Sequence, residues 1–349
     1  MKISTIAKYV DQPIVLSKLH KKMPYLLVAS GAVVGAYDYH KCAKKHKRNR
    51  KTHFMRNTVV ISSTICASLL GTRGLKINGK KIFNGLMENI PLKDLQVRQA
   101  KAVGRYLTNS NLNNAEVLDA LHAAKERELS PKQIQLLIDK LPDNNKKNDL
   151  FDVILPKKKN LNSKEIFAEI GRLSLLGLIP VVGGISGGLI ADFSTHTNTK
   201  KRTANMVKEG LYQYLANIFL CNVGAGTALF FSEQLEKNKV IKPLKPAQKL
   251  FVILAGITST GIVGGSYIAN YVSKKCINPL FGEEKNKKGL YNERKPEPLD
   301  IALHADDIAT AGILSGFKWI EPALPFMYFI SGYRAGIGYR NNNSHKKIQ

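Results

Sequence analysis

LSLLGLIPVVGGISGGLIADF, residues 173–193, decides how the rest of the chain is read. Its first 19 residues, Leu173 to Ala191, carry no charge. At about 1.5 Å per residue, a helix of that length crosses most of a roughly 30 Å hydrocarbon layer. Two small-residue rows interlock within it, Gly183/Gly187/Ala191 and Gly184/Gly188. In water each glycine costs a helix interior about 1 kcal/mol relative to alanine. Five of them within twelve positions therefore argue against an ordinary soluble helix. In lipid the same glycines let a second backbone approach closely, and close van der Waals contact is what holds membrane helices together.

Working outward, the second half repeats this character. Gly210–Ser232 and Leu250–Ser273 are uncharged runs, the latter with Gly261/Gly265/Ala269 on one face. A last apolar region, Ile308–Tyr333, is interrupted by Lys318, Glu321, Pro322 and Pro325. Toward the N-terminus lie two shorter uncharged runs, Pro24–Tyr37 and Asn57–Gly71. Between them Lys41, Lys44, Lys45, Lys47, Arg48, Arg50 and Lys51 form a loop too basic to enter hydrocarbon, which excludes a re-entrant hairpin. The pair then either spans, with its basic flanks snorkelling outward, or lies on the surface; spanning is favoured.

Composition agrees. The 349 residues include 53 Lys and Arg against 26 Asp and Glu, a formal net charge of +27. Such an excess calls for a polyanionic neighbour, and beside long uncharged runs an anionic bilayer is a simpler partner than nucleic acid. The basic loop from Lys41 to Lys51 is the expected anionic-lipid contact, and the glycine faces are the expected route of any self-association. Residues 72–163 differ, reading as soluble amphipathic helices. Val117, Leu118, Leu121 and Ala124 fall at helical spacing, and Ser130-Pro131 reads as an N-cap followed by a first-turn proline.

The expected fold is all-α, a polytopic membrane bundle of about six helices packed through glycine faces, with a small helical extramembrane insertion. The expected divisions are a basic N-terminal segment (1–22), a first membrane helix pair (23–71), the insertion (72–163), the main bundle (164–340) and a polar tail (341–349). Three runs also end alike, in Asp38-Tyr39, Asp192-Phe193 and Asn270-Tyr271. Helices alternating in direction place those three ends at one membrane face, where aromatic belts and basic flanks belong.

Candidate chemistry is sparse. Lys318 and Glu321, three apart on a helix face, can neutralise each other in a poor solvent, and ionisable groups within a span often have functional roles. The alternative is a surface turn between two short helices. His304, Asp306 and Asp307 precede them; paired carboxylates can bind metal or move protons, but acids are also favoured in the first turn of any helix. Cys42, Cys66, Cys221 and Cys276 have no CxxC spacing, and Cys66 and Cys221 read as packing residues. No P-loop, GxSxG, HExxH or EF-hand pattern occurs. The chain is thus not expected to be an enzyme, and neither a cofactor nor a bound metal is expected. The expectation is an integral membrane protein, placed in a bacterial inner membrane or its equivalent. Its leading function is a permease- or channel-like transport component; the rival is a noncatalytic membrane-organising or anchoring protein.

Overall fold

The computed structural model describes residues 3–45, 50–78, 80–87, 90–110, 112–156, 163–196, 200–282, 305–314 and 318–339. They are mostly helical and divide into two units, one comprising Met1–Met23, Glu88–Asn160 and Gly316–Pro322 and the other Pro24–Met87, Leu161–Ser315 and Ala323–Gln349.

The first unit is built from α1 (Ile3–Val10), the opening of α2 (Pro13–Lys45), α4 (Leu92–Thr108), α5 (Ala115–Glu126), α6 (Pro131–Lys140) and α7 (Asn145–Ile154). Local chemistry fixes its helix ends. Asn114 and Asn144 accept from the amides of Val117 and Lys147, and Ser130 makes a reciprocal capping box with Gln133. The asparagine cluster after Pro142, which ends α6, thus also starts α7. Val117, Ala120, Leu121 and Ala124 of α5 are buried in one core with Val103, Tyr106, Leu129, Ile134, Leu137, Leu150 and Ile154. Gln12 ties the N-terminal helices to this core, donating to the Leu129 carbonyl at 2.9 Å and accepting from the Leu129 amide at 2.7 Å.

The second unit holds the apolar helices. α2 continues from Pro24, and α3 (Arg50–Arg73), α8 (Ser163–Ser194), α9 (Lys200–Tyr214) and α10 (Leu220–Lys237) follow, the last two joined by a π-helical turn at Leu215–Phe219. α11 (Pro246–Ile257) leads through a π segment (Thr258–Gly265) into α12 (Ser266–Val272), and a second π turn (Ser273–Ile277) leads into α13 (Asn278–Leu280). α14 (Ala305–Leu314) and α15 (Leu324–Ile337) complete it. Among the described residues, four continuous stretches are long and apolar enough to cross a membrane: Lys51–Arg73, Lys164–Ser194, Lys200–Lys237 and Gln248–Leu280.

One non-helical element departs from the all-α reading. Gly74–Ile77 and Lys80–Asn84 form an antiparallel hairpin, β1 and β2, with Ile77 opposite Lys80. The cause is local: Asn78-Gly79 between the strands is the dipeptide that two-residue hairpin turns prefer, and Asn78 takes a φ of 48°. The hairpin groups with the apolar helices, and residues 1–23 group with the helical insertion.

Packing around α8 is close. A Cβ on Gly187 would come within 2.6 Å of Ser63 Cβ, and one on Gly183 would overlap the Ala67 side chain, so this row lies against α3. A Cβ on Gly184 or Gly188 would strike the carbonyl oxygen of Gly332 or Gly336, so the other row lies against α15. Ser63 Oγ donates to the Gly183 carbonyl at 2.7 Å across the first of these contacts. A Cβ on Gly265 would stand 2.6 Å from Ala216 Cα, and one on Gly261 would meet Cys221 Sγ, bringing the two π segments together. Cys221 is buried, whereas Cys66 is exposed on α3 and is not the packing residue its apolar neighbourhood implied.

Candidate functional site

The ends of several helices converge on a charged cluster in the second unit. Arg56 lies in the second turn of α3, and Asp192 in the last turn of α8. Because α3 and α8 run antiparallel, residues 136 apart in sequence meet: Arg56 Nε donates to Asp192 Oδ1 at 2.6 Å and Nη2 to Oδ2 at 3.4 Å. Arg202 of α9 reaches the same oxygen with Nη1 at 3.2 Å. Asp192 is 0% exposed and Arg56 8%. Arg56 Nη2 also donates to the Gly336 carbonyl of α15 at 3.3 Å, so one guanidinium binds three helices at their ends.

Beside this cluster is a cavity of about 360 Å³ lined by Asp38, His53, Arg56, Asn57, Arg202, Asn205, Ile337 and Gly338. Asp38, near the end of α2, accepts from Asn57 Nδ2 at 3.5 Å and from the Tyr333 hydroxyl. Asp38 and Asp192, which end two of the three alike-closing runs, therefore do stand at the same end of the bundle. There they are not bare interface anchors but acceptors for arginine, amide and hydroxyl groups brought in by other helices.

A second set of polar groups runs inward along α9. Glu209, Gln213 and Asn217 recur every four residues on one helix face, and all are buried. Gln213 Nε2 donates to Glu209 Oε1 at 2.8 Å, and Asn217 Nδ2 to Gln213 Oε1 at 2.9 Å. The π turn then matters. Its hydrogen bonds run five residues back, as the Leu220 amide to the Leu215 carbonyl shows, so the next residue on this face is five on, not four. That residue is Asn222, whose Nδ2 donates to Ser174 Oγ of α8 at 3.2 Å. From Glu209 to Asn222 the row extends about 20 Å along the helix. At its outer end Arg334 of α15, 4% exposed, places Nε 3.6 Å from Glu209 Oε1 and its guanidinium carbon 4.5 Å from the centre of the Tyr339 ring. Arg334 is two residues from Gly336, so the row and the Arg56 cluster share the end of α15.

The residues singled out from sequence are distributed differently. Lys318 and Glu321 lie in a 3₁₀ turn, Lys318–Ala323, between two short helices; Glu321 is buried, and both belong to the first unit. Asp306 and Asp307 are on α14, their side chains outside the described residues, as His304 is altogether. Lys41, Lys44 and Lys45 continue α2, and Arg50 and Lys51 open α3 with Lys51 exposed, while Lys47 and Arg48 fall outside the described residues. Gly183, Gly184, Gly187, Gly188, Gly261 and Gly265 sit at the helix contacts described above, and Ala191 and Ala269 are buried.

As site residues the sequence reading passed over Arg56, Arg202, Glu209, Gln213, Asn217 and Arg334, and it took Asp192 for an interface anchor. One signal was present in the i, i+4 spacing of Glu209, Gln213 and Asn217, which puts three polar side chains in line on an otherwise apolar segment. Among the described residues no cluster of three or more His, Cys, Asp or Glu side chains is placed to hold a metal ion. No family model, curated protein or solved structure matches the chain.

Proposed function

We propose that the chain is an integral membrane protein of the permease- or channel-like class, and that the buried row from Glu209 to Asn222 is its polar path. The observation that carries this reading is the row itself. Burying a charge or an amide away from water is costly unless it is paired, and in a bilayer such groups are found mainly where ions, protons or polar solutes are handled. Here a carboxylate, two carboxamides and a further carboxamide–hydroxyl pair line one helix face, with Arg334 balancing Glu209. The membrane setting is supported by the four long apolar helices. It is supported too by large apolar side chains exposed along them, including Leu175, Val182, Ile190 and Phe193 on α8 and Phe251, Tyr267 and Tyr271 on α11 and α12. The glycine rows of α8 and of the π segment Thr258–Gly265 serve in this reading as zipper-like faces for helix packing in lipid.

A second reading, a noncatalytic membrane-organising protein, draws on the backbone-to-backbone contacts of α8 with α15. Reconstitution separates the two. Vesicles containing the protein are expected to pass protons, small ions or small polar solutes faster than empty vesicles, and Glu209→Gln and Asn217→Leu should abolish the difference. Flux equal to that of empty vesicles for every probe would leave the organising role and overturn the transport one.

A further inference from the structure

We infer that the cavity at the openings of α3 and α9 binds a singly charged phosphodiester, the chemistry of a glycerophospholipid headgroup or of a free glycerophosphodiester. This goes beyond the transport reading and does not rest on it, because binding is read without flux.

The lining groups are arranged by helix geometry. His53, Arg56 and Asn57 stand at i, i+3 and i+4 within the first two turns of α3, and Arg202 and Asn205 stand three apart in the first turns of α9. Both helices therefore present donor side chains near their N-termini, where the backbone dipole also favours negative charge. Arg56 is the decisive residue. It is more than nine-tenths buried, yet it lines the cavity. Its Nε and Nη2 hold Asp192, Met206 and Gly336, and Nη1 takes part in none of these contacts. A guanidinium fixed in this way offers a pre-aligned donor, and arginine matches the oxygens of a phosphate better than a mobile ammonium does.

The acids set the charge of the ligand. Asp192 is enclosed behind the two arginines, so it orients them without facing the cavity contents. Asp38 does line the cavity, held by Asn57 and Tyr333. A dianionic monoester would bring its second charge against Asp38, whereas a monoanionic diester satisfies the arginine side without that repulsion. A cavity of about 360 Å³ is also at the small end of known ligand sites, enough for a headgroup and too small for a large solute.

The test uses the full chain in neutral-detergent micelles. Phosphatidylglycerol added to the micelle and water-soluble glycerophosphoglycerol are titrated separately, with phosphatidic acid as the dianionic comparison, and binding is followed by native mass spectrometry and by the shift in thermal unfolding. Saturable binding of either diester, weakened at least tenfold by Arg202→Gln and by Asn205→Leu but not by Lys101→Gln on the exposed surface of α4, is the expected result. Binding of the lipid alone assigns the site to a headgroup; binding of the soluble compound alone assigns it to a free diester. The inference is overturned if neither diester saturates, if Lys101→Gln weakens binding as much as Arg202→Gln, or if phosphatidic acid binds more tightly than phosphatidylglycerol. Unfolding midpoints of both cavity variants without ligand show that the fold is retained.

Discussion

Removing Arg56 should cost far more than removing Arg202, although both touch the same oxygen of Asp192. In Arg56→Met the buried Asp192 carboxylate loses its two-pronged partner and retains the contact with Arg202, whose side chain is 39% exposed. Stranding one partner of a buried pair typically costs about 3–5 kcal/mol. The remaining contact at 3.2 Å recovers part of this, so a loss of about 3 kcal/mol is expected. Arg202→Met leaves the two-pronged Arg56–Asp192 contact intact and removes a half-exposed ion pair, for which about 1 kcal/mol or less is expected. Asp192→Asn keeps an acceptor but no charge, leaving the Arg56 cation buried and unneutralised, and should cost at least as much as Arg56→Met. The order is Asp192→Asn at or above Arg56→Met, with Arg202→Met well below. Equilibrium unfolding in mixed detergent–SDS micelles, followed by circular dichroism at 222 nm, measures it. Equal losses for Arg56→Met and Arg202→Met, or a loss under about 0.5 kcal/mol for Arg56→Met, would show that burial does not set the worth of this pair and would refute the reasoning.

Three further outcomes are expected. Gly184→Leu must displace the α15 backbone, because even a Cβ at that position meets the Gly332 carbonyl; a loss of about 3 kcal/mol or more is expected, at or beyond the upper end for overpacked cores. Gly104→Ala, where a Cβ meets nothing, should be neutral or slightly stabilising in the same unfolding assay. In the first unit, the Lys18 ammonium bonded to Glu128, helped by a backbone hydrogen bond, holds the Glu128 carboxyl below the usual glutamate range. Its folded pKa is lower than its unfolded one, so the contribution is full above about pH 4.3 and fades as pH falls through the folded value. Both groups are partly exposed, and the difference between the native chain and Glu128→Gln should be under about 1 kcal/mol at pH 7 and shrink as pH falls into acid. A difference that persists unchanged into acid would contradict the assignment.

Much of this molecule was legible in the chain itself. Uncharged length marked the runs 173–191, 210–232 and 250–273, and each falls within one of the stretches long and apolar enough to cross a membrane. Periodicity and capping residues marked α5 and α6, since Val117, Leu121 and Ser130 act within one or two turns of their own position. The hairpin at 74–84 was equally local and was passed over where Asn78-Gly79 announced it. The candidate site was less legible. Arg56 reads as one more cation after a basic loop, Asp192 as the polar end of a greasy run, and Arg334 as the charge that closes another.

What the sequence alone determined is therefore composition along each helix: where charge is absent, where glycine leaves a flat face, where a cap ends the backbone ladder. These are short-range consequences of spacing at 3.6 residues per turn. Only the tertiary structure decided which helix lies against which glycine row. It also decided that Arg56, Asp192, Arg202 and Gly336, drawn from four helices, share one set of hydrogen bonds. The reason is that a partner far along the chain is chosen by helix direction and close packing. A single inserted residue in the π turn at Leu215–Phe219 changes which side chain, Asn222 or its neighbour, completes the buried row.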